Sequence, residues 1–244
     1  MPSSPILSFV IPTLREEQFL ERTLANLDAL QIPHEVIITD GGSQDKTLDI
    51  ARAHGAQITV WDQPRRQTFG EAKNAGAALA KGEFLVFIDA DVLIPSPQTF
   101  FEEALSAFTK NPKLVGITVP LKPWPENHSL VDAFFCAPLN WSYIFLNNIL
   151  RSGNSSGEFQ MVRTVAFRSM GGFSEHLAAG EDNELFRQLA KHGRTLSYWK
   201  LNVRHSLRRP HKLGWLTTYG IWIKNGLSVA LRNKAAYKEW SVVR

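Results

Sequence analysis

The sequence predicts an α/β protein built on a largely parallel, doubly wound sheet. Three observations carry that prediction. Short apolar, β-branched runs alternate with stretches of helical apolar spacing through the first half of the chain. Polar or acidic clusters stand directly after three of those runs, where ligands gather in such sheets. The 244 residues, 44% of them hydrophobic, suffice for one large α/β domain or a domain with an extension.

Leu7–Ile11 is a short apolar run ending at Pro12, and reads as the first strand. Glu16–Leu30 carries Leu20, Leu24 and Leu27 at helical spacing. Val36–Thr39 reads as a buried strand that ends in the turn Asp40-Gly41-Gly42-Ser43. Lys46–His54 reads as a helix stopped by Gly55, and Ile58–Trp61 as a third strand. Gly70–Lys81 is an Ala-rich helix stopped by Gly82. The fourth strand, Phe84–Ile88, ends in Asp89-Ala90-Asp91. Ser96 and Pro97 have the character of an N-cap and first helical position for a helix to about Lys110, and Leu114–Val119 reads as another strand.

The second half is less regular. Pro120–Pro125 is a Pro-rich connection. Ala133–Leu150 has no charged side chain and approaches the length of a membrane span, but Pro138, Asn140, Asn147 and Asn148 favour a buried or interfacial helix. Gly180-Glu181-Asp182 opens the helical run Leu185–His192, stopped by Gly193. From Trp215 onward, Leu216, Tyr219, Ile223, Leu227 and Leu231 recur at helical spacing among Lys224, Arg232, Lys234 and Lys238. That pattern suits a membrane interface or packing against the domain.

Charge is uneven. The chain carries a formal +4, yet Arg204–Arg244 holds 9 Lys/Arg against Glu239 alone, so residues 1–203 are mildly acidic. A basic segment of this kind suits an anionic partner or a solvated face. Nucleic acid is not expected, because the body is acidic and no nucleic-acid-binding motif is present. The single cysteine, Cys136, excludes a disulfide framework. The N-terminus has no basic region before its short apolar run, so no signal peptide is expected and a cytosol-facing protein is the default.

Asp89-x-Asp91 is the most telling local motif. Two carboxylates just past a buried strand suit a hard divalent cation shared with substrate phosphates. Solvated acids in a turn are the plain alternative, and a phosphatase of the haloacid-dehalogenase type with Asp89 as nucleophile is a second. That phosphatase loop usually follows the first strand, whereas here 88 residues precede it.

The ordered set VIPTLREE, VIITDGGSQDKT, GEAKNAGAALAKGEFLVFIDAD and GGFSEHLAAGEDNELFRQLAKHGR resembles glycosyltransferase family 2 over about residues 6 to 210. The resemblance implies a GT-A-type fold, a mixed and mostly parallel sheet flanked by helices, here followed by a basic amphipathic helical extension. It implies inverting sugar transfer from a UDP- or GDP-sugar, with Mn2+ or Mg2+ as cofactor. It divides the chain into a glycosyltransferase domain at 1–210 and a tail at 211–244. Within the domain, about 1–119 would bind nucleotide and about 120–210 would face the acceptor.

Carried onto this sequence, the resemblance sets Pro12, Leu14 and Glu16 around the donor base and ribose, and Asp40 on the base. Lys73 stands near the donor phosphates, where the family often has Arg. Asp89 falls near the ribose and Asp91 on the metal. Asp182 matches the general base, with Glu181 beside it in the donor site. Arg15 stands where the family commonly has Asn, and Gly41 where a second acid is common. His205-Ser206-Leu207-Arg208-Arg209 replaces the Gln-x-x-Arg-Trp signature of processive synthases, which implies single-residue transfer. His205 is a candidate further metal ligand, and Arg209, with Arg208, a candidate clasp for a diphosphate. An ordinary histidine and a solvated basic loop are their plain alternatives. Asp182 could equally serve as a helix-start acid. The acceptor is expected to be a sugar or lipid-linked molecule, with the tail peripheral on a membrane surface. A non-catalytic nucleotide-sugar-binding protein is the third reading.

Overall fold

The computed structural model describes residues 4–127, 129–232 and 234–237. The main sheet has seven strands in the order β3-β2-β1-β4-β8-β6-β9. Its first four members are β1 (Leu7–Thr13), β2 (His34–Asp40), β3 (Gln57–Val60) and β4 (Phe84–Ile88). The others are β6 (Leu114–Thr118), β8 (Phe159–Arg163) and β9 (Arg194–Ser197). All pairings are parallel except those of β8, which runs antiparallel to both β4 and β6.

Side chains alternate between the two faces of this sheet, as period two demands. Leu7, Phe9 and Ile11 of β1, with Phe84, Val86 and Ile88 of β4, enter the core beneath α1 (Leu20–Asp28) and α4 (Pro97–Lys110). Val10, Leu85 and Phe87 enter the opposite core, under α3 (Phe69–Leu79) and α7 (Glu181–His192). Both faces are therefore covered, which is why β1 and β4 read as continuous apolar runs. Gly76 lets α3 approach β1, since a Cβ there would come within 2.4 Å of Val10 Cγ1. Pro12 is accommodated within β1 because pairing with β4 ends at Val10, so its missing N–H faces no partner strand.

The chain reverses direction across the sheet between β1 and β4, and the loops after these two strands flank a crevice. A second, three-stranded sheet has the order β5-β10-β7. Its strands are β5 (Val92–Leu93), β7 (Leu121–Pro123) and β10 (Val203–His205). His205 pairs with Val92 in this sheet, which draws the late part of the chain onto the Asp89-Ala90-Asp91 turn.

The uncharged stretch of the second half forms α5 (Leu130–Ile144), continued as a π-helical turn over Phe145–Ile149. Its asparagines face the protein and satisfy peptide groups. Asn140 exchanges two hydrogen bonds with Leu121, and Asn148 two with Ser197. Asn147 donates to the carbonyls of Tyr143 and Asn154. The chain closes with α8 (Arg208–Leu213) and α9 (Trp215–Arg232). Trp215 stacks on Phe135 at 5.2 Å and donates its indole N–H to buried Asp132, fixing α9 to α5. The sequence expectation for Lys238 lies outside the described residues.

Candidate active site

The loop after β1 turns sharply at Arg15, whose φ is +56°. It is tied to the β2 loop by the Arg15 N–H donating to Ser43 Oγ at 2.6 Å and the Glu16 N–H donating to Thr47 Oγ1 at 2.8 Å. Asp40 organises that junction. Its carboxylate accepts from the N–H groups of Gly42 and Ser43 and from the hydroxyls of Thr13 and Ser43. Four bonds use the lone-pair positions of a carboxylate, so in this arrangement buried Asp40 shapes the loop rather than offering a free oxygen to a base.

Asp91 is fully buried at the centre of a tight cluster. Ser206 Oγ donates to Asp91 Oδ2, and Arg208 Nε lies 3.2 Å from the same oxygen. Arg208 also grips Glu16 with both terminal nitrogens, at 2.7 and 2.8 Å. One guanidinium thus joins the β1 loop to the Asp-x-Asp turn. The turn that aims these groups is strained at Leu207, whose φ is +55°. Asp91 Oδ1 lies 3.1 Å from His205 Nε2 but lacks a well-formed hydrogen bond.

Asp89, Asp91 and His205 each offer a ligand atom, all within 4.8 Å of one another. Two carboxylates and an imidazole suit a divalent cation of the Mn2+ or Mg2+ kind, and the orphaned, buried Asp91 Oδ1 fits the same use. Burial pushes the Asp89 carboxyl up to about 8, with Lys73 opposing and Glu158 and Asp91 adding to the rise. Burial also raises Asp91, but His205 and Arg208 outweigh it and hold that carboxyl well below the usual range. His205 accepts the Leu207 N–H at Nδ1, at 3.1 Å. Ligation through Nε2 therefore requires loss of the proton facing Asp91.

The third group stands at the start of α7. Gly180, with φ +89°, takes the left-handed conformation that turns the chain into this helix. Glu181 and Asp182 then meet Lys73, which reaches across from α3 and is fully buried. Lys73 Nζ donates to Glu181 Oε1 at 3.2 Å and to Asp182 Oδ1. Burial lowers the Lys73 ammonium's pKa, but Asp182 and Glu181 reverse the shift and hold it charged. Burial and the Asp182 charge push the Glu181 carboxyl up to about 7. Lys73, expected near donor phosphates, is thus bonded to the two acids. On the other side, Gly157 leaves room beside Asp182 Oδ2, since a Cβ there would come within 2.7 Å of it.

These groups border one cavity of about 610 Å³, a size suited to a small substrate. Pro12, Leu14, Glu16 and Asp89 line it from the strand ends. Lys73, Glu181, Asp182, His205 and Arg209 line it from the helices and the last loop. Asp40 and Asp91 are buried behind its wall. Arg209 is pulled down by burial and by the nearby Arg208 and Arg66, so three guanidiniums crowd this region.

Several lining residues escaped the sequence reading. Glu158, whose charge acts on Asp89, ends a Ser/Gly run that signals only a turn. Trp222, Asn225 and Val229 line the cavity from α9, a segment read as a basic amphipathic helix for a membrane interface or for packing against the domain, and not as part of the site. Asn225 donates to the Ala179 carbonyl at 3.1 Å, next to Gly180 at the start of α7.

The sequence pattern described as glycosyl transferase family 2 matches residues 8–168. The chain belongs to that family. Membership sets aside the phosphatase reading of Asp89.

Among its relatives, a validoxylamine A glucosyltransferase from Streptomyces hygroscopicus subsp. limoneus is 32% identical over 143 residues, spanning 53% of this chain and 31% of the relative. A glucosyl-3-phosphoglycerate synthase from Mycobacterium tuberculosis is 35% identical over 143 residues, spanning 56% of this chain and 40% of that one. The matches thus span a third to two-fifths of these relatives' length. Among solved structures, the mannosyltransferase PcManGT from Pyrobaculum calidifontis, in complex with GDP-Man and Mn2+, superimposes with a TM-score of 0.71 at 19% identity. That match covers 95% of this chain and 66% of that one. The glucosyl-3-phosphoglycerate synthase from Mycobacterium tuberculosis, with Mn2+, UDP-Glc and phosphoglyceric acid, gives 0.59 at 21% identity, covering 94% and 79%. These likenesses establish the GT-A fold.

Proposed function

We propose that this family 2 chain transfers one sugar from a UDP- or GDP-sugar to an acceptor hydroxyl, with inversion and with dependence on a divalent metal. The observation that carries the proposal is the convergence of Asp89, His205 and Asp182 on one cavity, with Asp91 buried behind its wall within reach of Asp89 and His205, although they come from distant parts of the chain. The solved structures of similar fold hold GDP-Man or UDP-Glc together with Mn2+, which supports the donor class and the metal.

Asp89, Asp91 and His205 would hold the cation. A bound cation neutralises charge that develops on the departing diphosphate. Pro12, Leu14 and Gly41 form the wall against which a nucleoside would lie. Asp40 and Glu16 act through that wall, the first by fixing the β2 loop and the second by orienting Arg208. Arg209 supplies positive charge to the same cavity.

Asp182 is the base. It takes the proton of the acceptor hydroxyl while that oxygen bonds to the anomeric carbon, and the bond to the donor phosphate breaks with its electron pair on the leaving group. Attack opposite the leaving group inverts the anomeric centre. Lys73 holds Oδ1, so Oδ2, beside Gly157, is the oxygen left to meet the acceptor. The final loop carries His205 and Arg208 against Asp91, in keeping with single-residue transfer. The acceptor is a sugar or a lipid-linked molecule, and the basic C-terminal segment brings the protein to a membrane surface.

The test is Asp182→Asn. Donor binding should persist while transfer falls by several orders of magnitude. Near-normal turnover by this variant would refute the assignment of the base.

A further inference from the structure

The helix α5 and its π-helical continuation are amphipathic in an unusual sense. Asp132, Asn140, Asn147 and Asn148 turn inward and are hydrogen-bonded to the body of the protein. Leu130, Phe134, Trp141, Phe145 and Ile149 turn outward, with Phe134 71% and Trp141 69% exposed. Their spacing of four or seven residues places them along one side of the helix. A continuous exposed apolar surface of this kind marks an interaction site in a folded protein.

The neighbouring helix α9 repeats the arrangement. Trp215, Thr218, Asn225 and Val229 are buried against the body, while Leu216, Ile223, Leu227 and Leu231 are exposed. The two helices are fixed together by the Phe135–Trp215 stack and by the Tyr219 hydroxyl donating to the Phe135 carbonyl. No helix among the described residues is long and apolar enough to cross a membrane.

The exposed charges in and beside α9 are of one sign, and Glu126, which precedes α5, is paired with Arg22. Arg151, Lys212, Lys224, Arg232 and Lys234, in or next to these helices in sequence, are exposed. From Arg208 to Tyr237 the sequence has no Asp or Glu, and the one acid of α5, Asp132, is buried. A second copy of the chain placed against this face would bring cations against cations. An anionic bilayer accepts both the apolar stripe and the basic margin.

We propose that the outward faces of α5 and α9 together form a docking surface for an anionic phospholipid bilayer, with Phe134 and Trp141 of α5 as its inserted residues. This deepens the membrane reading of the C-terminal segment by assigning the apolar contact to a helix outside it. The same two helices line the cavity through Leu139, Tyr143, Trp222 and Val229, so docking sets an apolar wall of the acceptor side next to lipid.

The test is sedimentation of the whole chain with phosphatidylcholine vesicles, with and without a third of phosphatidylglycerol, at low and high salt. The wild type should pellet with the phosphatidylglycerol vesicles at low salt, and its tryptophan emission should shift to the blue. Phe134→Glu/Trp141→Glu should lower the vesicle partition by about tenfold or more. Lys212→Glu/Lys224→Glu should weaken binding and flatten its salt dependence. Metal-dependent nucleotide binding is the folding control for every variant, since none of these side chains borders the cavity.

If only the lysine variant lost binding and Phe134→Glu/Trp141→Glu bound as the wild type does, the α5 assignment would be wrong and the basic-tail reading would stand. Absence of wild-type binding to anionic vesicles would overturn the proposal outright. So would a concentration-dependent dimer abolished by Phe134→Glu/Trp141→Glu without vesicle binding, because the face would then be a contact between copies. Loss of nucleotide binding in the wild type would count against the glycosyltransferase reading and leave the lipid result intact.

Discussion

Lys73 and Asp182, 109 residues apart in sequence, are hydrogen-bonded to each other in the interior of the protein, and the same ammonium reaches Glu181. The pair joins α3, which packs on the first strand, to the start of the helix that carries the proposed base. Lys73 is nearly inaccessible, with a side-chain exposure of 1%, while Asp182, at 17%, is half-buried at the cavity wall. Breaking it has different consequences for stability and for chemistry.

Lys73→Met removes the only ammonium bonded to two adjacent carboxylates among the described residues. A buried pair broken on one side costs about 3–5 kcal/mol, because the remaining charge is left without compensation. Denaturant unfolding should register a loss of that order. Adding Glu181→Gln should recover part of it, since the buried charge disappears as well. A loss under about 1 kcal/mol would mean that water or another group reaches the acids.

Gly157→Ala places a methyl group where only 2.7 Å separates it from Asp182 Oδ2. Transfer should fall by about tenfold or more, because small displacements of a reacting group are costly. Donor affinity should hardly change. Equal losses in donor binding and turnover would show that the loop shapes the donor site instead.

Asp91→Asn keeps the shape of the fully buried side chain but removes its charge. Donor affinity measured with Mn2+ should drop to the value found without metal. His205→Ala should reduce the Mn2+ requirement only in part if the two carboxylates dominate. An Asp91→Asn variant with normal metal dependence would exclude the Asp-x-Asp turn as the cation site.

His54 gives a pH dependence remote from the site. Burial lowers its pKa, but hydrogen bonds to Glu21 and Asp28 outweigh that effect, so the net shift is upward from 6.5. A raised value in the folded state means that the contribution is fully present below the unfolded value. It is lost as pH rises through the folded one. Thermal unfolding of the wild type against His54→Gln should show the largest difference at mildly acidic pH and convergence at alkaline pH. A constant difference across that window would contradict the ion pairing.

The parallel half of the fold was legible because its central strands, β1 and β4, are buried on both faces and α1 and α4 carry apolar stripes. Phe84–Ile88 and the Pro97 start of α4 fall where the sequence set them. Ser96 stands before that helix as expected, but with φ +46° and no side-chain cap bond, so Pro97 carries the start signal. The first helix begins at Leu20 rather than Glu16, because the chain turns at Arg15 and the Glu16 N–H is tied to Thr47 in the β2 loop.

The small sheet was not legible. Val92–Leu93 and Val203–His205 are too short to show any period, yet their pairing brings His205 to Asp91. The antiparallel strand Phe159–Arg163 escaped because the polar Gln160, though buried, interrupts its short apolar run. The share of α9 in the site escaped too. Its exposed apolar residues and its lysines dominate the pattern, while Trp222, Asn225 and Val229, which line the cavity, do not stand out from it.

The central claim is a nucleotide-sugar site completed by a metal. Calorimetric titration of the chain with UDP, GDP and their sugars, with and without Mn2+, tests it most directly. The account predicts that one nucleotide and its sugars bind, that Mn2+ strengthens the binding, and that Asp91→Asn abolishes the gain. Failure of every nucleotide to bind, with or without the metal, would contradict it.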